Sequence, residues 1–419
     1  MLRRCTWAAV CRHAELCRTQ SRALATERWR PEAADAASTN LTRFADMIAS
    51  RHALPAFSAR DLADYRRLHA WSVANPADFW RAVWEHVGFV GHHSPGGAGA
   101  VVEPGDAKWA PAGNPAPRWY LGSLVNHAEN LLAHGNDDSP ALIFASERTR
   151  TGRGQMKVLT YRDLRLQVAA LASALAADGV AAGDVCAGVV ANTPDAVVAM
   201  LATTSLGASW ASCSPDFGER GLEDRLGQVA TARLPPTHLS THAPPHPLLL
   251  HTHPSRTHAH TLTHSRTRAH TPPKVNAKVV FVHDRYYYRG KRHDLAPKIN
   301  AISSALRAAT RTVVLAYPSD DTHGEMPATT DAVWLDDFVA AHKSAAPRFV
   351  HVGFDSPVYI MFSSGTTGVP KCMLQGCGVT LNHAKEAVHN LAKLLPVNRN
   401  QEYLRTDSTV ASIRRCILT

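Results

Sequence analysis

The stretch that most constrains this 419-residue chain lies late in it, from Val358 to Lys371. Val358-Tyr359-Ile360-Met361-Phe362 reads as a buried strand, and Ser363-Ser364-Gly365-Thr366-Thr367-Gly368-Val369-Pro370-Lys371 as the loop it delivers. Four hydroxyls, two glycines and one lysine in nine residues offer many donors and little bulk, which suits a polyanion held against the backbone. Gly365 and Gly368 permit close approach, Ser363, Ser364, Thr366 and Thr367 donate to non-bridging oxygens, and Lys371 adds a mobile charge. The same composition also serves plain solvated turns. Walker A spacing is absent, because no Gly-Lys-Ser/Thr follows Gly365 at the required distance. Pro370 and the apolar Cys372-Met373-Leu374 predict instead a loop between two strands.

Strands and helices alternate from Leu142 onward. Thr160 and Asp163 form a capping pair before a helix lined by Leu164, Val168, Leu171 and Leu175, which Gly179 ends. Val185 to Val190 is a continuous apolar strand, Thr193-Pro194 opens a helix that stops at Gly207, and Ser209 to Cys213 is the next strand. Glu219 to Val229 reads as helix, Lys278 to Val282 as strand, Leu295 to Ala309 as helix and Thr312 to Tyr317 as strand. After the loop, Thr380 is placed to cap a last helix through Leu381, Ala384, Val388 and Leu391. Repeated βαβ units predict an α/β fold with a mainly parallel sheet covered on both faces. The 363–371 loop then falls beyond strand ends, where such sheets hold ligands.

Upstream, Trp29 to about Gly91 is helical, with Leu62, Tyr65, Leu68 and His69 on one face and Phe79, Trp80, Val83, Trp84 and Val87 on another. His92 to Pro117 is Gly/Pro-rich and reads as a linker. The segment 231–273 holds nine histidines, many Thr and Pro and no acid, and is read as an inserted surface segment or translated non-coding sequence; His-x-His metal binding is the functional alternative. Residues 1–28 have the Arg-rich, acid-poor composition of a transit peptide, which favours the mitochondrial matrix over the cytosol. Beyond about 390 the chain is polar and patternless.

The formal charge of +10 invites a nucleic-acid reading. Residues 1–30 carry +5, residues 231–273 carry +4 and residues 391–419 carry +3, so the remainder is slightly acidic. No nucleic-acid-binding pattern accompanies the charge. Eight cysteines without a CxxC pair read as free thiols in a reducing compartment, and no apolar run reaches the length of a membrane span.

Ser363-Ser364-Gly365-Thr366-Thr367-Gly368-Val369-Pro370-Lys371 resembles the signature phosphate loop of the AMP-forming acyl-CoA synthetase (adenylate-forming) superfamily. Further stretches resemble the acetoacetyl-CoA synthetase family in particular. They are Trp71-Ser72 and Phe79-Trp80; Trp119 through Leu131, with His127 where a Tyr is usual; Ala191-Asn192-Thr193-Pro194 with Val198-Ala199-Met200-Leu201; Cys213-Ser214-Pro215-Asp216-Phe217-Gly218; Asp224-Arg225 with Gly227-Gln228; and Tyr286-Tyr287-Tyr288 leading into Gly290-Lys291-Arg292-His293-Asp294. The resemblance implies a helical N-terminal cap over 29–118 and an AMP-binding domain over 119–390 interrupted by 231–273. It also implies activation of acetoacetate by ATP through an acyl-adenylate to acetoacetyl-CoA, in fatty-acid and ketone-body metabolism, with coenzyme A as cosubstrate. Ser363, Ser364, Gly365, Thr366, Thr367, Gly368 and Lys371 would hold the β- and γ-phosphates with Mg²⁺ sharing the charge, and Lys371 would serve the chemistry.

Gln375-Gly376-Cys377-Gly378 departs from the family's His-x-His-Gly-like run, and the adenine, ribose and C-terminal-domain motifs have no counterpart after Lys371. The expectation is an incomplete copy with little or no ligase activity. An acetyl- or propionyl-CoA synthetase, a non-catalytic ATP-binding fragment and a basic nucleic-acid binder are the other readings. Cys372 and Cys377 are expected to be inert core thiols.

Overall fold

The computed structural model describes residues 39–57, 61–92, 102–103, 118–150, 156–229, 277–303, 309, 311–318, 322–329, 331–363 and 370–387. Two compact units divide them, with described parts over 39–82 and 386–387 in one and over 83–385 in the other. The basic leader, the 231–273 segment and the tail beyond 390 lie outside the described residues.

The first unit is helical. Helix α1 (Asn40–Arg51) opens where the Thr39 hydroxyl accepts from the Thr42 N–H at 2.9 Å, satisfying one of the first-turn donors. Phe44, Ala45, Ile48 and Ala49 form its buried stripe. Helix α2 (Leu62–Ala74), capped by Asp61, departs from the expected face. Leu68 is buried and Trp71 packs on the His52 ring at 4.8 Å, whereas Tyr65 is 54% exposed and His69 is exposed. Leu68 and Trp71 lie one turn apart and set the inward side; Tyr65 and His69 keep their polar atoms wet. Helix α3 (Pro76–His86) begins on Pro76, whose missing N–H costs nothing there, and its Phe79 meets Phe44 edge-on with centroids 5.7 Å apart.

The second unit is built on a seven-stranded sheet. In chain order its elements are α4 (His127–Ala133), α5 (Tyr161–Ala177), β1 (Val185–Val189), α6 (Pro194–Ser205), β2 (Ser209–Cys213), α7 (Glu219–Val229), β3 (Val279–His283), α8 (Ala296–Ala301), β4 (Arg311–Leu315), β5 (Ala332–Trp334), β6 (Pro357–Ser363), β7 (Lys371–Gly376) and α9 (Val379–Glu386). The strand order is β5-β4-β3-β1-β2-β6-β7, parallel throughout except that β7 runs antiparallel to β6. Every residue of β1 is buried, because the sheet is covered on both faces. Cys186, Trp210, Phe281, Val313 and Leu315 pack with α5 and α6 on one face. Val185, Val189, Ala211, Val280, Val282 and Val314 pack with Leu222 and Leu226 of α7 and Ile299 of α8 on the other. That alternation is the period of two expected of strands buried on both sides.

Helix boundaries follow the signals in the sequence. Thr160 and Asp163 form a reciprocal capping box on α5, and Thr193 with Pro194 opens α6. Gly179 and Gly207, at φ of 86° and 72°, turn the chain out of α5 and α6. Three expectations need correction, and one further stretch, Tyr286 to Tyr288, takes a form that the sequence did not assign. The helix expected over 295–309 is described only as α8, and 304–308 lie outside the described residues. Tyr286 to Tyr288 belongs to an antiparallel hairpin, Arg285–Tyr288 with Lys291–Asp294, through a turn at Arg289 and Gly290. The 92–117 linker contributes a short strand, Val102–Glu103, paired with Arg118–Trp119. Thr380 is no cap: α9 begins one residue earlier, after a turn in which Cys377 N–H bonds Ser356 O and Gly378 N–H bonds Phe354 O.

Candidate functional site

The loop singled out in the sequence is carried by the β6–β7 hairpin. Val358 and Ile360 are buried and Tyr359, Met361 and Phe362 half-buried, so β6 is anchored as an inner strand. It runs parallel beside β2, with Tyr359 opposite Trp210 and Ile360 opposite Ala211, and so delivers its end at the carboxyl edge of the sheet. Backbone pairing of Ser363 with Lys371 closes the loop. Ser363 and Lys371 are thus brought together. Ser364, Gly365, Thr366, Thr367 and Gly368 lie outside the described residues, between these two ends. The arrangement matches the loop between two strands predicted from Pro370 and Cys372-Met373-Leu374.

The neighbouring loop, Ser214 to Gly218, leaves β2 at the same edge. Lys298 of α8 fastens it: its ammonium donates to Pro215 O at 2.7 Å and Phe217 O at 2.9 Å. Burial pulls the Lys298 pKa down, while Asp216 and Glu219 pull it up. From α7, the Arg225 guanidinium lies 3.8 Å over the Phe217 ring and donates to Gly221 O at 2.7 Å. Burial raises the Tyr286 phenol pKa, and the nearby Asp216 adds to the rise. Asp216 itself stays exposed on the loop. Sequence reading gave Lys298 no role, because its partners lie 81 and 83 residues away and no spacing rule reaches so far.

Strand β1 leads to β2 on one side, while β3 leads to β4 on the other, so connections diverge between β1 and β3. His283, at the end of β3, fills that divergence. Ala191 N–H donates to its Nδ1 at 3.1 Å, so Nε2 carries the proton and donates to Thr193 Oγ1 at 2.9 Å. Burial holds its pKa down at about 3, which makes it a neutral structural histidine. Next to it, Asp284 accepts from Tyr317 N–H at 3.0 Å, Gly324 N–H at 2.8 Å and Arg285 Nε at 3.0 Å. Arg285 also donates to Thr322 O at 2.9 Å. Both side chains of this pair are at most 1% exposed, so each charge is compensated where it is buried. The pair ties β3 to the segment after β4.

The thiols of β2, of β7 and of the turn after β7 are protonated. Burial pushes Cys213 and Cys377 up to about 12 and raises Cys372, which disfavours nucleophilic use. Among the described residues, no group of three or more His, Cys, Asp or Glu is placed to hold a metal ion, and no helix is long and apolar enough to cross a membrane. A cavity of about 390 Å³, lined by Glu129, Leu132, Arg165, Val168, Ser205 and Phe349 among others, opens near the amino ends of the strands, since Ser205 precedes β2 and Phe349 precedes β6. It is separate from the loop edge.

Comparison with known proteins agrees with this frame. Residues 132–413 match the family model described as "AMP-binding enzyme". The acetoacetyl-coenzyme A synthetase of Rhizobium meliloti (strain 1021) is 35% identical over 363 residues, and that of Macaca fascicularis 32% over 362; each match covers 85% of this chain and 44% of the relative. A solved structure, the acetoacetyl-CoA synthetase from Streptomyces lividans, superimposes with a TM-score of 0.64 at 30% identity, covering 85% of this chain and 44% of that one. The chain therefore spans less than half the length of these relatives. With its parallel sheet, its hydroxyl- and glycine-rich loop at the carboxyl edge and a family match reaching from residue 132 to 413, this chain belongs to the AMP-binding enzyme family.

Proposed function

We propose that Ser363, Ser364, Gly365, Thr366, Thr367, Gly368 and Lys371 hold the β- and γ-phosphates of ATP while a small keto acid, acetoacetate, is activated for transfer to coenzyme A. The observation that carries this reading is the β6–β7 hairpin: it closes a nine-residue donor-rich loop at the carboxyl edge of a parallel sheet, with Lys371 exposed at its rim. The similarity to acetoacetyl-CoA synthetases over 85% of the chain supports the choice of acid and acceptor.

The chemistry sets the demands on the residues. A carboxylate oxygen attacks the α-phosphorus, the bond to the β-phosphate's bridging oxygen breaks, and pyrophosphate departs. The thiol of coenzyme A then displaces AMP from the acyl carbon and gives up its proton. Negative charge builds on the departing pyrophosphate, so hydroxyls, backbone N–H groups and a lysine held around it lower the barrier without taking part in bond making. Mg²⁺, when bound, would share that charge. Lys371 begins a strand whose register is pinned by five further pairs, so its backbone is anchored at the end of the loop.

We also read 231–273 as an inserted segment. Helix α7 ends at Val229 and β3 begins at Val279, so removing 231–273 leaves a connection of the length usual between a helix and its strand. The Arg-rich 1–28 leader supports a mitochondrial matrix location over the cytosol.

The test is equilibrium binding of ATP to the purified chain, wild type against Lys371→Ala and Thr367→Val. Each substitution is expected to weaken binding at least about tenfold, the worth of one charge-assisted contact. Unchanged affinity in both variants would refute the phosphate assignment. Acetoacetate-dependent exchange of pyrophosphate into ATP separates the full activation step from nucleotide binding alone.

A further inference from the structure

The hairpin that carries the phosphate loop is tied at its inner strand, β6, and at the helix that follows it by one side chain from a distant part of the chain. His127 opens α4 and is 2% exposed. Its Nδ1 lies 2.7 Å from the Thr380 hydroxyl of α9, and its Nε2 lies 2.5 Å from the Tyr359 hydroxyl of β6. Tyr359 stands four residues before Ser363 on the strand entering the loop, and Thr380 four residues after the end of the strand leaving it. The Tyr359 hydroxyl reaches on to Met200 Sδ at 3.5 Å, and the backbone N–H of His127 faces the Cys377 sulfur. Every polar atom of the ring is therefore used whichever tautomer is present.

The position of the ring is dictated by its neighbour. Asn126 accepts from Glu129 N–H at 3.0 Å as the cap of α4, while its amide donates to Thr204 O at 3.2 Å, Ser205 O at 2.9 Å and Val350 O at 2.8 Å. The start of α4 is thus fixed to the end of α6 and to the segment leading into β6. A ring held there, bonded at both nitrogens, restrains β6 and α9 relative to the rest of the sheet. Backbone bonds, Cys377 N–H to Ser356 O at 2.7 Å and Gly378 N–H to Phe354 O at 2.8 Å, hold the open base of the hairpin, and the ladders to β2 and β7 hold β6; the ring adds a side-chain tie from α4 to β6 and α9.

We propose that His127 is a positioning residue for the 363–371 loop, acting through Tyr359 and Thr380 to set where the hairpin presents it. The proposal takes the phosphate reading of that loop as its starting point, and it makes no contact with substrate itself. The His127 pair of bonds matters because a phosphate cradle misplaced by an ångström loses much of its effect.

The experiment compares wild type with His127→Phe, His127→Gln, Tyr359→Phe and Thr380→Val in the full chain, reading amide hydrogen exchange by segment and ATP affinity. Phe removes both bonds and keeps the bulk; Gln retains a donor and an acceptor on one planar group. Expected are exchange at least about tenfold faster in β6 and β7 for His127→Phe with β1 and β3 unchanged, partial rescue by Gln, and intermediate acceleration for Tyr359→Phe and Thr380→Val. ATP affinity should fall about tenfold in His127→Phe and recover in part in His127→Gln. If His127→Phe fails to fold, the two single-bond variants carry the test alone. Unchanged exchange in β6 and β7 overturns the proposal, as does uniform acceleration across the sheet, which marks a merely structural role. Loss of ATP affinity in Lys371→Ala with none in His127→Phe also overturns it. Local acceleration without any effect of Lys371→Ala on ATP leaves the restraint standing and sinks the phosphate reading instead.

Discussion

Single residues around the sheet do different work from what their types suggest. His127 and His283 look like catalytic or metal-binding candidates, yet both are fully buried, bonded at both nitrogens and neutral, with pKa values brought down to about 3 chiefly by burial. A depressed histidine pKa contributes stability that is fully present above the unfolded value of about 6.5 and is lost as pH falls through the window from about 6.5 to about 3, because only the unfolded chain takes up the proton. Each histidine should therefore add a slope approaching about 1.4 kcal/mol per pH unit between pH 6 and 5, measured by urea unfolding. His283→Asn should remove its share of the slope; an unchanged slope would count against the buried neutral state. Asn126 works harder than its type suggests as well. Asn126→Asp keeps the cap acceptor but loses the amide that serves Thr204, Ser205 and Val350, and should cost at least about 2 kcal/mol. A loss under about 0.5 kcal/mol would show that water replaces the amide.

At the scale of elements, the start of α6 joins two devices in one hydroxyl. Thr193 Oγ1 accepts from Ala196 N–H at 3.3 Å and meets His283 Nε2 at 2.9 Å, so the helix cap and the end of β3 share an atom. Thr193→Val keeps the shape and removes both, with an expected loss of about 1–2 kcal/mol in chemical denaturation. Thr193→Ser should restore most of it, and equal loss in both variants would mean that packing of the methyl matters instead. The outer strand β7 is a second case: Met373 and Leu374 are 42% and 45% exposed on a strand with one paired neighbour among the described residues, the geometry that recruits another strand. Leu374→Lys should lower self-association in sedimentation without changing the circular dichroism, and unaltered sedimentation would show that the edge is protected.

For the whole molecule, the parallel sheet and the 230–278 connection make separable demands. Deleting 231–273 should leave the melting temperature unchanged or raised by a few degrees, since shortening a loop reduces the entropy lost on closing it. A collapse of folding would place that segment inside the domain. Much of the architecture was legible in the chain: the buried runs at 185–190 and 209–213, the Thr160–Asp163 and Thr193–Pro194 starts, and the hairpin around Pro370 are local patterns, and local periodicity and capping report themselves. The inward face of α2, the exit of Thr380 from its expected cap and the Tyr286–Tyr288 hairpin were not legible, because each depends on what packs against it. The same division holds at the site. The order Ser-Ser-Gly-Thr-Thr-Gly-Val-Pro-Lys is enough to mark a phosphate-type loop, since its chemistry lies in consecutive residues. That His127 reaches Tyr359 and Thr380 across 232 and 253 residues, and Lys298 reaches Pro215 across 83, was decided only by the tertiary structure, because folding alone brings such distant positions within hydrogen-bond range.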